Sequence, residues 1–193
     1  MTGDYIDGII SKYHQKGIII DTNLLILLIV GSLGEEALSR CKLTKSSEYK
    51  YKDFLILEEI LKNFKNIIIT PHILSEISHH LIKDNSDNSE IFRAIISKLS
   101  NIVEEHVKKD IILSQGVSVK LGIIDGSITE LCLNKKIPVI TDDGPLSGFL
   151  GHLGVEHINI NHIRFCNILS QRWYSPEEIN GVSHHLCYIG KQI

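Results

Sequence analysis

A chain of 193 residues with 43% hydrophobic and 22% charged side chains can bury one sizeable core, and its length predicts a single domain with room for an appendage. A formal net charge of −3 gives no electrostatic footprint of a nucleic-acid binder, although a site packed with carboxylates would itself pull the total negative, so overall charge selects no partner. The four cysteines, Cys41, Cys132, Cys166 and Cys187, lie too far apart in the chain for the close pair of a zinc or redox motif, and they imply no disulfide framework.

Met1 to Asp7 lacks the basic and apolar regions of a signal peptide, so export is not expected. The most apolar window, Ile18 to Val30, is interrupted by Asp21-Thr22-Asn23 and is too short to span a bilayer. The expectation is a reduced, cytoplasmic protein without a membrane segment.

In chain order, Ile6, Ile9, Ile10 and Tyr13 stand at helical spacing over Ile6 to Gln15, and Lys16-Gly17 closes the segment. Ile18-Ile19-Ile20 reads as a buried strand that ends abruptly in Asp21. Thr22 or Asn23 is placed to cap a following helix, Leu24 to Val30, which is apolar nearly all round and therefore buried; Gly31 and Gly34 end or bend it. The stretch Glu35 to Tyr51 is polar, with Lys42, Lys45, Lys50 and Lys52 around Ser46-Ser47. Its plain reading is a solvated loop or helix face, and the alternative is a basic flap over an anionic substrate. Asp53 is expected to cap an amphipathic helix whose stripe is Phe54, Leu57, Ile60, Leu61 and Phe64.

Ile67-Ile68-Ile69-Thr70 predicts a second buried strand, stopped by Pro71, where a new helix begins. Ile73, Leu74, Ile77 and Leu81 form its core stripe, while Glu76 and His80 share another face. A loop over Asp84 to Ser89 leads to a long amphipathic helix carrying Ile91, Phe92, Ile95, Ile96, Leu99, Ile102 and Val103, and Ile111-Ile112-Leu113 is an apolar piece of undecided type. Asp125 is the one charge in an apolar helical register that continues through Ile128, Leu131 and Cys132, and a carboxylate so placed is rarely left buried without a partner. Ile137 to Thr141 predicts a third strand ending in Asp142-Asp143-Gly144-Pro145, and Val155 to Ile160 a last one after a Gly-rich helix or turn at Leu146 to Gly154. Strands alternating with helices predict a parallel α/β sheet, whose right-handed crossovers bring all strand ends to one side. Asn161 to Ile193 is expected to be a helical extension, with Trp173 and a cap-like Ser175-Pro176-Glu177-Glu178.

Asp21 and Asp142-Asp143 directly follow strands, while Glu76 and Asp125 sit on helices able to reach the same sheet edge, the edge where open α/β sheets bind ligands. Carboxylates a few ångströms apart raise one another's pKa and call for cations. Hard oxygen ligands without a Cys/His set select Mg²⁺ or Mn²⁺ over zinc, and such ions best serve in-line displacement at phosphorus. Each acid has a local alternative: Asp21 as an N-cap, Glu76 as a surface residue, Asp125 as a cap or ion-pair partner, and Asp142-Asp143 as a turn. Joint placement at one edge favours the phosphodiesterase reading.

The ordered set Ile20-Asp21-Thr22-Asn23, Pro71-His72-Ile73-Leu74-Ser75-Glu76, Leu121-Gly122-Ile123-Ile124-Asp125 and Val139-Ile140-Thr141-Asp142-Asp143 resembles the PIN-domain nuclease family over roughly Gly17 to Ile160. The resemblance implies a three-layer α/β/α sandwich on a central parallel sheet of four to five strands. It also implies a Mg²⁺- or Mn²⁺-dependent endoribonuclease acting on single-stranded RNA, and often a homodimer. Asp21, Glu76 and Asp125 carry over as metal-binding acids. The fourth acid of the family commonly stands two after a Ser or Thr, which selects Asp143, with Thr141 as the hydroxyl supporting the first acid and Asp142 acting through water. Asn23 matches the polar residue that orders the first acid. Many members are toxins neutralised by a small antitoxin, and those are usually shorter than this chain. The departures are an insertion near residues 31–65 and the extension at 161–193, so the nuclease domain is expected to occupy 1–160.

Two rivals stand beside this reading. A Rossmann-like phosphohydrolase would use an Asp at the end of the first strand as nucleophile, but its usual second Asp two positions on is here Asn23. A nucleic-acid-binding or assembly module with an inactive site would not need all four acids. The ten histidines, among them His72, His79, His80 and His184-His185-Leu186-Cys187, lack a metalloprotease-type pair flanking a Glu and join no site.

Overall fold

The computed structural model describes residues 2–41, 44, 48–83, 89–114 and 116–164. Their first helix, α1 (Thr2–Tyr13), precedes strand β1 (Ile18–Ile20). Between them Gly17 has φ of +107°, and an added Cβ would stand 2.5 Å from the Asn66 carbonyl oxygen, so this left-handed, crowded position requires glycine. After β1 come α2 (Thr22–Gly31), α3 (Glu35–Arg40) and α4 (Tyr51–Leu61), then β2 (Ile67–Ile69), α5 (Pro71–Lys83), α6 (Ser89–Leu99) and β3 (Val103–Glu104). The chain continues through α7 (Lys109–Ser114), α8 (Gly116–Lys120), α9 (Ile123–Lys135), β4 (Val139–Thr141), α10 (Gly144–His152) and β5 (His157–Asn159).

The described strands form one five-stranded, all-parallel sheet of order β3-β2-β1-β4-β5. Successive side chains of a strand point to opposite faces. Because every residue of β1 and β4 is buried, both faces of the central strands must be covered, as in other all-parallel sheets. The architecture is the expected α/β class, a three-layer α/β/α sandwich. Helix α2 explains its own composition: its residues Leu24 to Gly31 are all buried, and it packs against α3, α4, α5, α6 and β4. Among the described residues no helix is long and apolar enough to cross a membrane.

Three local expectations are corrected. Helix α2 is capped by Asp21 rather than Thr22 or Asn23, since the Asp21 carboxylate accepts the Thr22 N–H. Asp53 is not the cap of α4. It sits three residues inside, where its Oδ2 accepts the N–H of the N-cap residue Lys50 at 2.8 Å, the reciprocal contact a third-position acid makes at a helix start. Ile102 and Val103 do not continue the preceding helix. That helix ends at Leu99, and Val103 opens β3, which pairs with β2 as an edge strand and is extended by a bond from the Glu105 N–H to the Ile69 carbonyl. The piece of undecided type at Ile111-Ile112-Leu113 belongs to α7.

The stripe Phe54, Leu57, Ile60, Leu61 and Phe64 is buried, as is the Ile73–Ile77 face of α5. The expected insertion contains α3 and α4. Lys42, Lys45 and Ser46-Ser47, the greater part of the Asp84 to Ser89 loop, and the extension beyond residue 164 with Trp173, Ser175-Pro176-Glu177-Glu178 and His184-His185-Leu186-Cys187 lie outside the described residues. The side chains of His80, Leu81, Ile91, Phe92 and Ile95 lie outside them as well.

Candidate functional site

In a sheet of this order the chain leaves β1 toward one edge and, after β3, returns to β4 on the other side of β1. The carboxyl ends of β1 and β4 therefore flank the switch point, where a crevice forms. Asp21 follows β1 and Asp142-Asp143 follow β4. A cleft of about 230 Å³ opens there, lined by Asp21, Thr22, Asn23, Glu76, Leu121, Gly122, Ile123, Ile124, Asp125 and Asp143. Four predicted acids from four elements thus share one cavity, and Asp142 is not part of its wall.

Asp21 is buried, 7% exposed. Its Oδ1 accepts the Thr22 N–H at 2.7 Å and its Oδ2 the Thr141 hydroxyl at 2.6 Å. Thr141 also accepts the Asp143 N–H at 2.9 Å, so one fully buried hydroxyl fixes the first acid and the turn carrying the last. Asp143 caps α10 through a 2.6 Å bond from the Leu146 N–H. Glu76 reaches the cleft from α5, and its carboxylate accepts the Thr22 hydroxyl. Asp125 lies in the first turn of α9, which begins after Gly122 at φ of +113°, a backbone conformation that glycine adopts without strain. The two helices are tied at depth, where the buried hydroxyls of Thr70 and Ser127 meet at 3.1 Å.

The electrostatics follow from burial and like charge. Desolvation, joined by the negative fields of Asp142 and Asp125 and opposed by the bonds from Thr141 and Thr22, pushes Asp21 up to about 7. Asp125 is pushed up to about 6, again mainly by burial and then by Asp143 and Glu76. Among the described residues no lysine or arginine lines the cleft.

As a donor set the cleft suits a hard divalent cation in chemistry: carboxylates, with hydroxyl and amide oxygens beside them and, among the described residues, neither thiolate nor imidazole. Among the described residues no group of three or more His, Cys, Asp or Glu side chains is arranged to hold a metal ion as the side chains stand. The fit is one of ligand type and charge rather than of a formed coordination shell.

The carboxylate of Asp142 does not line the cleft, although its charge reaches Asp21. Its Oδ2 accepts the Tyr49 hydroxyl and its Oδ1 accepts Asn23 Nδ2 at 3.3 Å. Sequence reasoning placed Asn23 and Thr141 as supports of the first acid. Thr141 touches Asp21 directly, whereas the hydrogen bond seen from the Asn23 amide goes to Asp142. Two contributors were missed. The sequence offers Thr22 only as a helix cap, although its hydroxyl bonds to Glu76. Tyr49 lies 93 residues from Asp142 in sequence, and no local pattern marks it. Compared with models of protein families, with curated proteins and with solved structures, the chain matches none.

Proposed function

We propose that the cleft is the active centre of a Mg²⁺- or Mn²⁺-dependent nuclease that hydrolyses phosphodiester bonds of single-stranded RNA. The carrying observation is the convergence of Asp21, Glu76, Asp125 and Asp143 on one cleft at the switch point of a parallel sheet. The burial and mutual repulsion that raise Asp21 and Asp125 are relieved by a bound cation. Asp21, Asp125 and Asp143 would hold the ion, and Glu76, oriented by the Thr22 hydroxyl, would complete its shell or orient a water. A divalent ion supplies, when bound, charge neutralisation at phosphorus and a more acidic water. Thr141 keeps Asp21 turned into the cleft, and the choice of RNA comes from the resemblance in sequence.

The expected result for Asp21→Asn is loss of single-stranded RNA cleavage in Mg²⁺ or Mn²⁺ by roughly 100-fold or more, beyond what a supporting partner usually costs, with the circular-dichroism spectrum retained. Cleavage at the unmutated rate would remove this cluster from the mechanism. The phosphohydrolase alternative lacks the second Asp two positions after the first, a place held here by Asn23. Many members of the family that the sequence resembles are toxins, and pairing with a small antitoxin and homodimer formation belong to the same proposal. Co-purification with the product of a small neighbouring reading frame tests the first and sedimentation the second.

A further inference from the structure

Along extended backbone successive side chains point to opposite sides. From the end of β4 this alternation turns Thr141 toward Asp21, Asp142 away, and Asp143 toward the cleft again, with its N–H on the Thr141 hydroxyl. The outward Asp142 is held at several points. Tyr49 and Asn23 each donate to its carboxylate, and Asn161 Nδ2 donates to its carbonyl at 2.6 Å. Tyr49 is only 8% exposed and is itself enclosed. The Arg164 guanidinium lies 5.4 Å from its ring centroid, donates to the Glu48 carbonyl at 3.1 Å, and places Nε 3.3 Å from Oδ1 of Asp53, which is 1% exposed. Three distant segments, residues 48–53, 142 and 161–164, thereby close on one point behind the cleft.

We propose that Asp142 and Tyr49 are positioning residues. By holding Asp142 outside the cleft, residues 48–53 of the segment between β1 and β2 clamp the β4–α10 turn, which fixes Asp143 at the cation site. Asp142 is thus no ligand, and this segment acts on the site from behind. The inference rests on reading the cleft as a divalent-cation site. It goes beyond that reading by assigning a role to residues 48–53 and to Arg164.

The test is a double-mutant cycle read by calorimetric Mn²⁺ titration of the full chain, with melting curves to verify folding. Tyr49→Phe keeps the buried ring and removes only the hydroxyl; Asp142→Ala removes its partner. Each is expected to weaken Mn²⁺ binding roughly tenfold, the scale for loss of a group that orients a ligand, and the double variant should be no weaker than Asp142→Ala alone. RNA cleavage by Tyr49→Phe should recover at saturating Mn²⁺. Wild-type affinity in Tyr49→Phe, or losses that multiply in the double variant, would overturn the proposal. So would abolition of binding by Asp142→Ala with Tyr49→Phe unaffected, since Asp142 would then be a ligand. Should Asp142→Ala fail to fold, the affinity of Tyr49→Phe decides alone. Absence of Mn²⁺ binding by the unmutated chain is a separate result, and it sinks the nuclease reading together with this inference.

Discussion

Asp21 is the side chain at which a proton and a bound cation would compete. Its pKa in the folded chain, about 7, lies above its ordinary value of 3.8, so between those values the folded state holds a proton that the unfolded state has lost. The contribution to stability is fully present below about pH 4 and is lost as pH rises through 7, and Asp125, raised to about 6, acts in the same direction. At ~1.4 kcal/mol per pKa unit the Asp21 effect is on the order of 4 kcal/mol, and that of the partly exposed Asp125 is smaller. The metal-free chain is therefore expected to melt lower at pH 8 than at pH 5, and Asp21→Asn should flatten much of that slope; melting curves in chelator check both. Thr141→Val keeps shape but strips the hydroxyl that donates to Asp21 Oδ2 and accepts the Asp143 N–H. Its expected cost is about 2 kcal/mol, typical of a bond to a charged group. The loss should be larger at pH 8, where Asp21 is ionised, than at pH 5, as read by urea denaturation.

At the scale of elements, the helices that frame the site are locked by close approach. A Cβ on Gly31, the last residue of α2, would stand 2.5 Å from two ring carbons of Phe54 in α4. Gly31→Ala is expected to destabilise the chain by about 1–3 kcal/mol through overpacking, and Phe54→Leu in the same chain to restore part of that loss. Denaturant midpoints of the single and double variants measure it. A Cβ on Gly126 would meet the Ser118 hydroxyl at 1.9 Å, so α8 can lie where it does only because α9 carries glycine one residue after Asp125. Edge strand β3 shows the opposite case. Two residues with no buried side chain leave no period-2 signature, and the helical spacing of Leu99, Ile102 and Val103 wins any local reading until the ladder to β2 is known.

For the whole molecule, the sheet order brings carboxylates from residues 21, 76, 125 and 143 into one cavity. A cation bound there favours only the folded state, so Mn²⁺ at a hundred times its dissociation constant is expected to add about 2.7 kcal/mol. The gain should be greater at pH 8 than at pH 5, because the ion displaces protons from Asp21 and Asp125 at the lower pH. Thermal shift at the two pH values, with and without chelator, measures it. Equal shifts at both would separate cation binding from these two acids.

The sequence by itself determined the layers and the acids. Runs such as Ile18-Ile19-Ile20 and Ile67-Ile68-Ile69 have one use in a domain of this size, a strand buried on both faces, and a carboxylate ending such a run lies at the sheet's binding edge. Those signals are local, carried by periodicity and by residues one or two positions apart; the pairing of Thr141 and Asp143 with Asp21, a contact across 120 residues, came instead from the family pattern that the sequence resembles. Tertiary structure alone decided what depends on contacts between distant segments: the Asp142 carboxylate turned outward to Tyr49 and Asn23, Arg164 set against Asp53 and Tyr49, and β3 laid along β2. A hydrogen bond across 93 residues leaves no trace in the spacing of either partner. Its geometry exists only once the packed sheet and helices have fixed where each chain segment runs.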